Sequence, residues 1–205
     1  MIFIDRRFLL ILLAGYIIFS GSCKKAKHIE PEPIVESNVL YNEFTEPLVL
    51  SQPGTKLLLD LDKDRKNDLA IRLTVLPENL MTTYFYVAEP LNGDVQLVAT
   101  GLLDAYAFPS NAEIFEIIPP GSSKRWSGSN GILLEKYVCQ SEIQRIEMFN
   151  GSRKLYLGIR IKKAQNFHYG WVEIRHDEHL DIDRIVISGT GLYKLSERAI
   201  KAGMH

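Results

Sequence analysis

Four aspartates crowd one short stretch of the chain. Asp60, Asp62, Asp64 and Asp68 stand at relative positions 1, 3, 5 and 9 of DLDKDRKND. That is the spacing by which an EF-hand-like loop wraps oxygen ligands round Ca²⁺, with the carbonyl of position 7, here Lys66, as a further ligand. Carboxylates packed into one turn repel one another unless a hard cation compensates them. Two positions depart from the pattern: Arg65 stands where the sharp turn normally takes Gly, and Ile71 where a bidentate acid closes the shell. Lys63, Arg65 and Lys66 also carry positive charge into the turn. Two readings stand side by side, a charge-mixed hairpin turn in solvent and a weak Ca²⁺ site made by Asp60, Asp62, Asp64, Lys66 and Asp68.

The remaining chemistry is thinner. His176-Asp177-Glu178-His179 gathers four ligand types, but it lacks the helical i, i+4 spacing of a zinc peptidase and reads as a polar turn. The acid pairs Glu113 with Glu116 and Glu142 with Glu147 carry nothing that marks them as glycosidase carboxylates. No Gly-x-Ser-x-Gly elbow, phosphate loop or paired-Cys zinc pattern occurs, so no catalytic residue is assigned and a non-catalytic role is expected. Phe167, Tyr169 and Trp171 alternate, so a strand puts all three rings on one face, where core packing is the expectation and a sugar-stacking row the alternative. Trp126 is the candidate ligand-binding aromatic, because it sits in the long irregular stretch from Pro119 to Gly131 between Arg125 and Ser127.

The elements that must position these residues are strands. From residue 39 onward, short runs rich in Val, Ile, Leu, Tyr and Phe are broken by Gly, Pro, Asn and Asp, and such punctuation predicts strands and turns. Ten are predicted, near 39–50, 55–61, 68–76, 82–88, 94–100, 112–118, 132–139, 154–163, 166–176 and 183–190. Asn92-Gly93 and Asn150-Gly151 have the chemistry of two-residue hairpin turns. SERAIKAG near the C-terminus suggests at most one short helix, with Ser196 as its cap and Gly203 past its end. The expected fold is an all-β antiparallel sandwich or barrel-like domain over 39–205.

The N-terminal part serves another purpose. Arg6 and Arg7 precede the apolar run FLLILLAGYIIF, and Ser20, Gly21 and Ser22 follow it before Cys23. Those are the three regions of a signal peptide over residues 1–22. The run would reach only about 18 Å, short of a ~30 Å hydrocarbon core, so a permanent span is the weaker reading. Cys23 after small residues resembles the bacterial lipobox, with Ser20 where an aliphatic residue is usual, and the Lys24-Lys25 that follow resemble lipoproteins of Bacteroidetes type. That resemblance implies a diacylglyceryl-modified and palmitoylated Cys23 as the mature N-terminus, with plain secretion as the alternative. The polar, Pro-containing stretch up to residue 38 reads as a tether. Cys139 is then left without a partner, as a small buried hydrophobe; a disulfide to Cys23 is the other choice.

Composition narrows the function classes. The 205 residues carry a formal net charge of -1, which offers no electrostatic footprint for nucleic acid. The length accommodates one core. The runs LYLGIR from Leu155, FHYGWVEI from Phe167, IVISGTGLY and the closing ERAIKAG resemble the C-terminal half of a group of secreted bacterial proteins with no assigned function. The aspartate loop resembles their DxDxDGxxD segment. That resemblance implies a β-rich exported domain and no catalysis. The expectation is a lipid-anchored cell-envelope protein at the periplasmic face of the outer membrane, with surface display as the alternative location. It would act as a binding or structural module with Ca²⁺ as the candidate cofactor and a membrane, glycan or protein as partner; the alternative is a carbohydrate-binding or carbohydrate-active lipoprotein.

Overall fold

The computed structural model describes residues 38–114, 118, 121–140, 142–149 and 153–205, with Glu147 as backbone only. The expected signal peptide, Cys23, the tether as far as residue 37, Glu116 and the Asn150-Gly151 turn lie outside the described residues. Within them the chain is all-β and contains no helix. In chain order the strands are β1 (Val39–Leu50), β2 (Lys56–Leu59), β3 (Leu69–Glu78), β4 (Met81–Pro90), β5 (Val95–Thr100), β6 (Asp104–Ala105), β7 (Ala107–Phe108), β8 (Glu113–Ile114), β9 (Lys124–Ser127), β10 (Gly131–Cys139), β11 (Glu142–Glu147), β12 (Leu155–Lys163), β13 (Asn166–Asp177), β14 (Arg184–Tyr193) and β15 (Ile200–Lys201).

One sheet in the order β1-β14-β13-β12-β5-β6-β10-β4-β3-β2 carries nearly all of them, with β11 added on β10, β7 on β12 and β9 on β5. It is mostly antiparallel and curls until it is nearly barrel-shaped. Alternation along the strands explains why it curls. Leu157, Ile159 and Ile161 of β12, Val172 and Ile174 of β13, Leu69, Ile71 and Leu73 of β3 and Val95 and Leu97 of β5 all face one enclosed core, and a sheet with one continuous apolar face buries it by closing on itself.

A second core lies on the other face of the same strands. Tyr156, Tyr169 and Trp171 pack there with Val98, Phe108, Ile114, Ile200 and Ala202. The segment from β6 to β8 and the C-terminal residues, joined through the β8–β15 pair, therefore cover β12 and β13 from outside. This resolves the aromatic row as core: Tyr169 and Trp171 are fully buried and Phe167 is half-buried. Leu157 and Ile159, beside it in sequence, face the opposite way. The close fit needs glycine at Gly191, which pairs with Trp171, because a Cβ there would lie 2.5 Å from the indole.

Four expectations are corrected. The C-terminal stretch is not helical, because Glu197 N–H donates to Phe167 O at 2.8 Å, Phe167 N–H donates to the Glu197 carboxylate, and Ile200 pairs with Ile114. Tertiary docking outcompetes local propensity. Trp126 is not in an irregular loop; it lies in β9, paired with Val98 of β5. Asn92-Gly93 is a corner and not a hairpin turn, since β6 and β10 stand between β5 and β4 in the sheet. Cys139, expected to be buried, is exposed at the end of β10.

Candidate metal centre

The aspartate loop is the connection between β2 and β3, and both ends are clamped. Leu59 pairs with Leu69, and Asp68 N–H donates to Leu59 O at 2.8 Å. Leu61 is buried in the enclosed core and Asp68 is 6% exposed, so the loop is pinned by an apolar side chain at its start and a carboxylate at its end. Asp68 Oδ2 accepts Leu61 N–H at 2.9 Å, which closes the ring.

Between these anchors the backbone turns round the side-chain oxygens. Asp64 N–H lies 3.2 Å from Asp60 Oδ1 and 3.1 Å from Asp62 Oδ1. Arg65 N–H donates to Asp60 Oδ2 at 2.8 Å and Lys66 N–H to Asp64 Oδ1 at 2.8 Å. Lys63 and Arg65 have φ of 60° and 73°, so the position that usually takes Gly adopts the left-handed turn with an arginine. That conformation strains a non-glycine residue by about 1–3 kcal/mol.

One oxygen each from Asp60, Asp62 and Asp68 lie within 4.8 Å of one another. This group can hold a metal ion. Asp64 is not part of it; its carboxylate accepts Lys66 N–H and lies 3.8 Å from Lys66 Nζ. The expected ligand set is thereby split, with Asp60, Asp62 and Asp68 brought together and Asp64 and Lys66 paired with each other beside them. Asp62, Asp64 and Asp68 line a hollow of about 380 Å³ that Asn92 and Asp94 of the β4–β5 corner and Lys162 and Lys163 at the end of β12 complete.

The positive charge around the loop is arranged in a way the sequence did not reveal. Lys63 Nζ turns away to Tyr41 O at 3.1 Å. The cation that reaches the cluster is Lys163, with Nζ 2.9 Å from Asp62 Oδ2. It arrives from a hairpin remote in sequence, so no local spacing could have found it, nor Asn92 and Asp94. Burial first, and then the charges of Asp62, Asp60 and Asp64, hold the Asp68 carboxyl above its ordinary value of 3.8, with the Leu61 amide working the other way. A raised carboxyl in a group of acids is the electrostatic deficit that a divalent cation removes.

Trp126 packs tilted against Tyr169 with ring centroids 5.7 Å apart, and the Arg160 guanidinium lies 4.7 Å from the Trp126 ring centroid and 3.9 Å from that of Phe167. Arg160 Nε and Nη2 both donate to Gln96 Oε1. A sugar ring stacking where that guanidinium lies would have to displace it. His176 does not belong to a polar turn, because it is buried 3.4 Å from Asp183. Glu113 pairs with Lys201 in the β8–β15 ladder, and Glu142 lies at the start of β11.

No protein-family model, curated protein or solved structure matches the chain.

Proposed function

We propose that this chain is a lipid-anchored envelope protein whose β-domain is a non-catalytic binding or structural module, and that the β2–β3 loop holds one structural Ca²⁺. The observation that carries the metal reading is the convergence of Asp60, Asp62 and Asp68 oxygens within 4.8 Å in a loop already wound to the left-handed turn at Arg65. Oxygen donors suit a hard cation. The neighbouring Asn92 and Asp94 supply further oxygens at the same hollow. An ion seated there ties two separate connections of the sheet together, the β2–β3 loop and the β4–β5 corner. Its ligands belong to the folded state, so binding stabilises by RT ln(1 + [L]/Kd), about 2.7 kcal/mol at a hundredfold excess over Kd.

The test is thermal unfolding of the domain with millimolar CaCl₂ and with excess EDTA. Calcium is expected to raise the midpoint, and Asp62→Ala to abolish that rise, so that EDTA adds nothing to the variant. Additive losses would refute the shared site. The pH dependence has a defined sign. The Asp68 carboxyl is raised in the fold, so without metal its contribution to stability is present below the ordinary value of 3.8 and is lost as pH climbs through the higher folded value. Calcium displaces that proton. The calcium-induced shift should therefore shrink on acidification through the same window.

The anchor rests on the small-residue stretch ending at Cys23 after an apolar run too short to span a bilayer. In a bacterial host, labelled palmitate should be incorporated into the full chain and not into Cys23→Ser. The variant should leave the membrane fraction, and equal labelling of both would discard the anchor. Lys24, Lys25 and Lys27 just after the modified residue favour contact with anionic headgroups on the periplasmic face.

A further inference from the structure

The connection between β13 and β14 does not stay beside its own strands. It reaches to β4, β10 and β11, which are separated from β13 by β12, β5 and β6 in the sheet order. There it meets a lysine whose side chain is entirely enclosed. Lys136 Nζ donates to the carbonyl oxygens of His179, Leu180 and Asp181 at 2.8, 3.0 and 3.0 Å, and lies 3.3 Å from Asp183 Oδ1. Three successive main-chain carbonyls and a carboxylate turned on one nitrogen are what an oxygen cage presents to a bare cation. An extended chain does not point three consecutive carbonyls at one point, so the segment has been wound round the charge.

The surrounding groups secure the same segment. Arg145 Nε and Nη2 hold the two Asp183 oxygens at 2.8 and 3.1 Å, Asp183 Oδ1 accepts His179 N–H at 2.7 Å, and Tyr86 Oη donates to Asp183 O at 2.7 Å. His176 Nε2 lies 3.4 Å from Asp183 Oδ2, and Arg145 Nη1 lies 3.7 Å from the Glu178 carboxylate. Leu180, between the first and last caged carbonyls, is 80% exposed, so the segment is held by its backbone while that side chain stands in solvent.

We propose that the segment 178–183 is a latch between opposite walls of the barrel, and that Lys136 is its catch, a covalently tethered ammonium in a cage built for a cation. The cage recognises charge and N–H geometry and not the bulk of the lysine stem. Removing the side chain leaves a site for a primary alkylammonium. A neutral molecule of the same length fills the space and cannot satisfy the four oxygens.

The full chain carrying Lys136→Ala is exposed to a glutamate-specific protease, with cleavage after Glu178 as the readout. The variant should be cut there on the order of tenfold faster or more, since local opening governs such cleavage. Added n-butylammonium should return the rate towards that of the parent, while 1-butanol at equal concentration should not. Equal rescue by both, or by neither, would overturn the proposal. If Lys136→Ala does not fold, Lys136→Met keeps the stem without the charge. Hydrogen exchange should then be faster at residues 178–183 alone, and a uniform rise across β12 and β13 as well would count against a latch.

Discussion

Asp183→Asn is expected to destabilise the domain by about 3–5 kcal/mol near neutral pH, because it leaves the enclosed Lys136 without its counter-charge and takes from part-buried Arg145 the nearer of its two carboxylates. Asp183 is fully buried; its Oδ1 faces Lys136, Arg145 and the His179 amide, and its Oδ2 faces Arg145 and His176. Burial by itself would raise its carboxyl, yet His176, Arg145, the His179 amide and Lys136 outweigh burial and hold it well below the usual range. The sign of the pH dependence follows. A depressed carboxyl contributes stability that is present above its ordinary value of 3.8 and is lost as pH falls towards the lower folded value. Urea unfolding across that range should show the parent converging on Asp183→Asn as the medium becomes acid. A constant gap would mean that the substitution acts through shape alone.

Trp171→Ala is the second large effect, about 3–5 kcal/mol, a loss typical of an enclosed aromatic cut back to Ala. Trp171 is fully buried in the outer core, in edge contact with Tyr156 at 5.3 Å and tilted over Tyr41 at 5.8 Å, and it lies against Gly191. For a domain of this size the midpoint should drop by about 10 °C. Trp171→Phe should lose much less, because the buried indole N–H has no hydrogen-bond partner among the described residues and its removal forfeits no bond there. A Phe variant as unstable as the Ala variant would show that an interaction at that nitrogen sustains the outer core.

These two sites also show where sequence reasoning works in this chain. Period-two alternation is written plainly in β12, where Leu155, Leu157, Ile159 and Ile161 turn to the enclosed core, while β13, buried on both faces, is marked by its run of aromatic and β-branched residues. The all-β class and the long strands are accordingly legible. The strands that were missed lack that imprint. Glu142, Gln144 and Arg145 of β11 and Lys124 and Arg125 of β9 are charged or polar side chains on partly exposed faces, and both strands owe their form to ladders with β10 and β5. Such strands are specified by their partners and not by their own residues.

The aspartate loop was legible because its geometry is local: nine residues contain the spacing, the turn and the three converging acids. Lys163, Asn92 and Asp94 were not, since they arrive by tertiary contact. The Lys136 cage was invisible for the same reason. A lysine inside an apolar strand looks like an ordinary surface position of an alternating pattern, and its acceptors are main-chain oxygens that any sequence supplies.

The register of β1 with β14, Val39 opposite Tyr193 and Leu50 opposite Ile185, sets the order in which the molecule can be made. Among the described residues the first strand contacts β2 and β3 but has no hydrogen-bonded strand partner until β14 has followed it from a ribosome or a translocation pore. No N-terminal half can close early, and a product cut short before Arg184 would keep β1 as an unpaired, adhesive edge. Such long-range pairing makes folding slow for the chain's size. It also makes folding a final event, completed only when the last long strand is out.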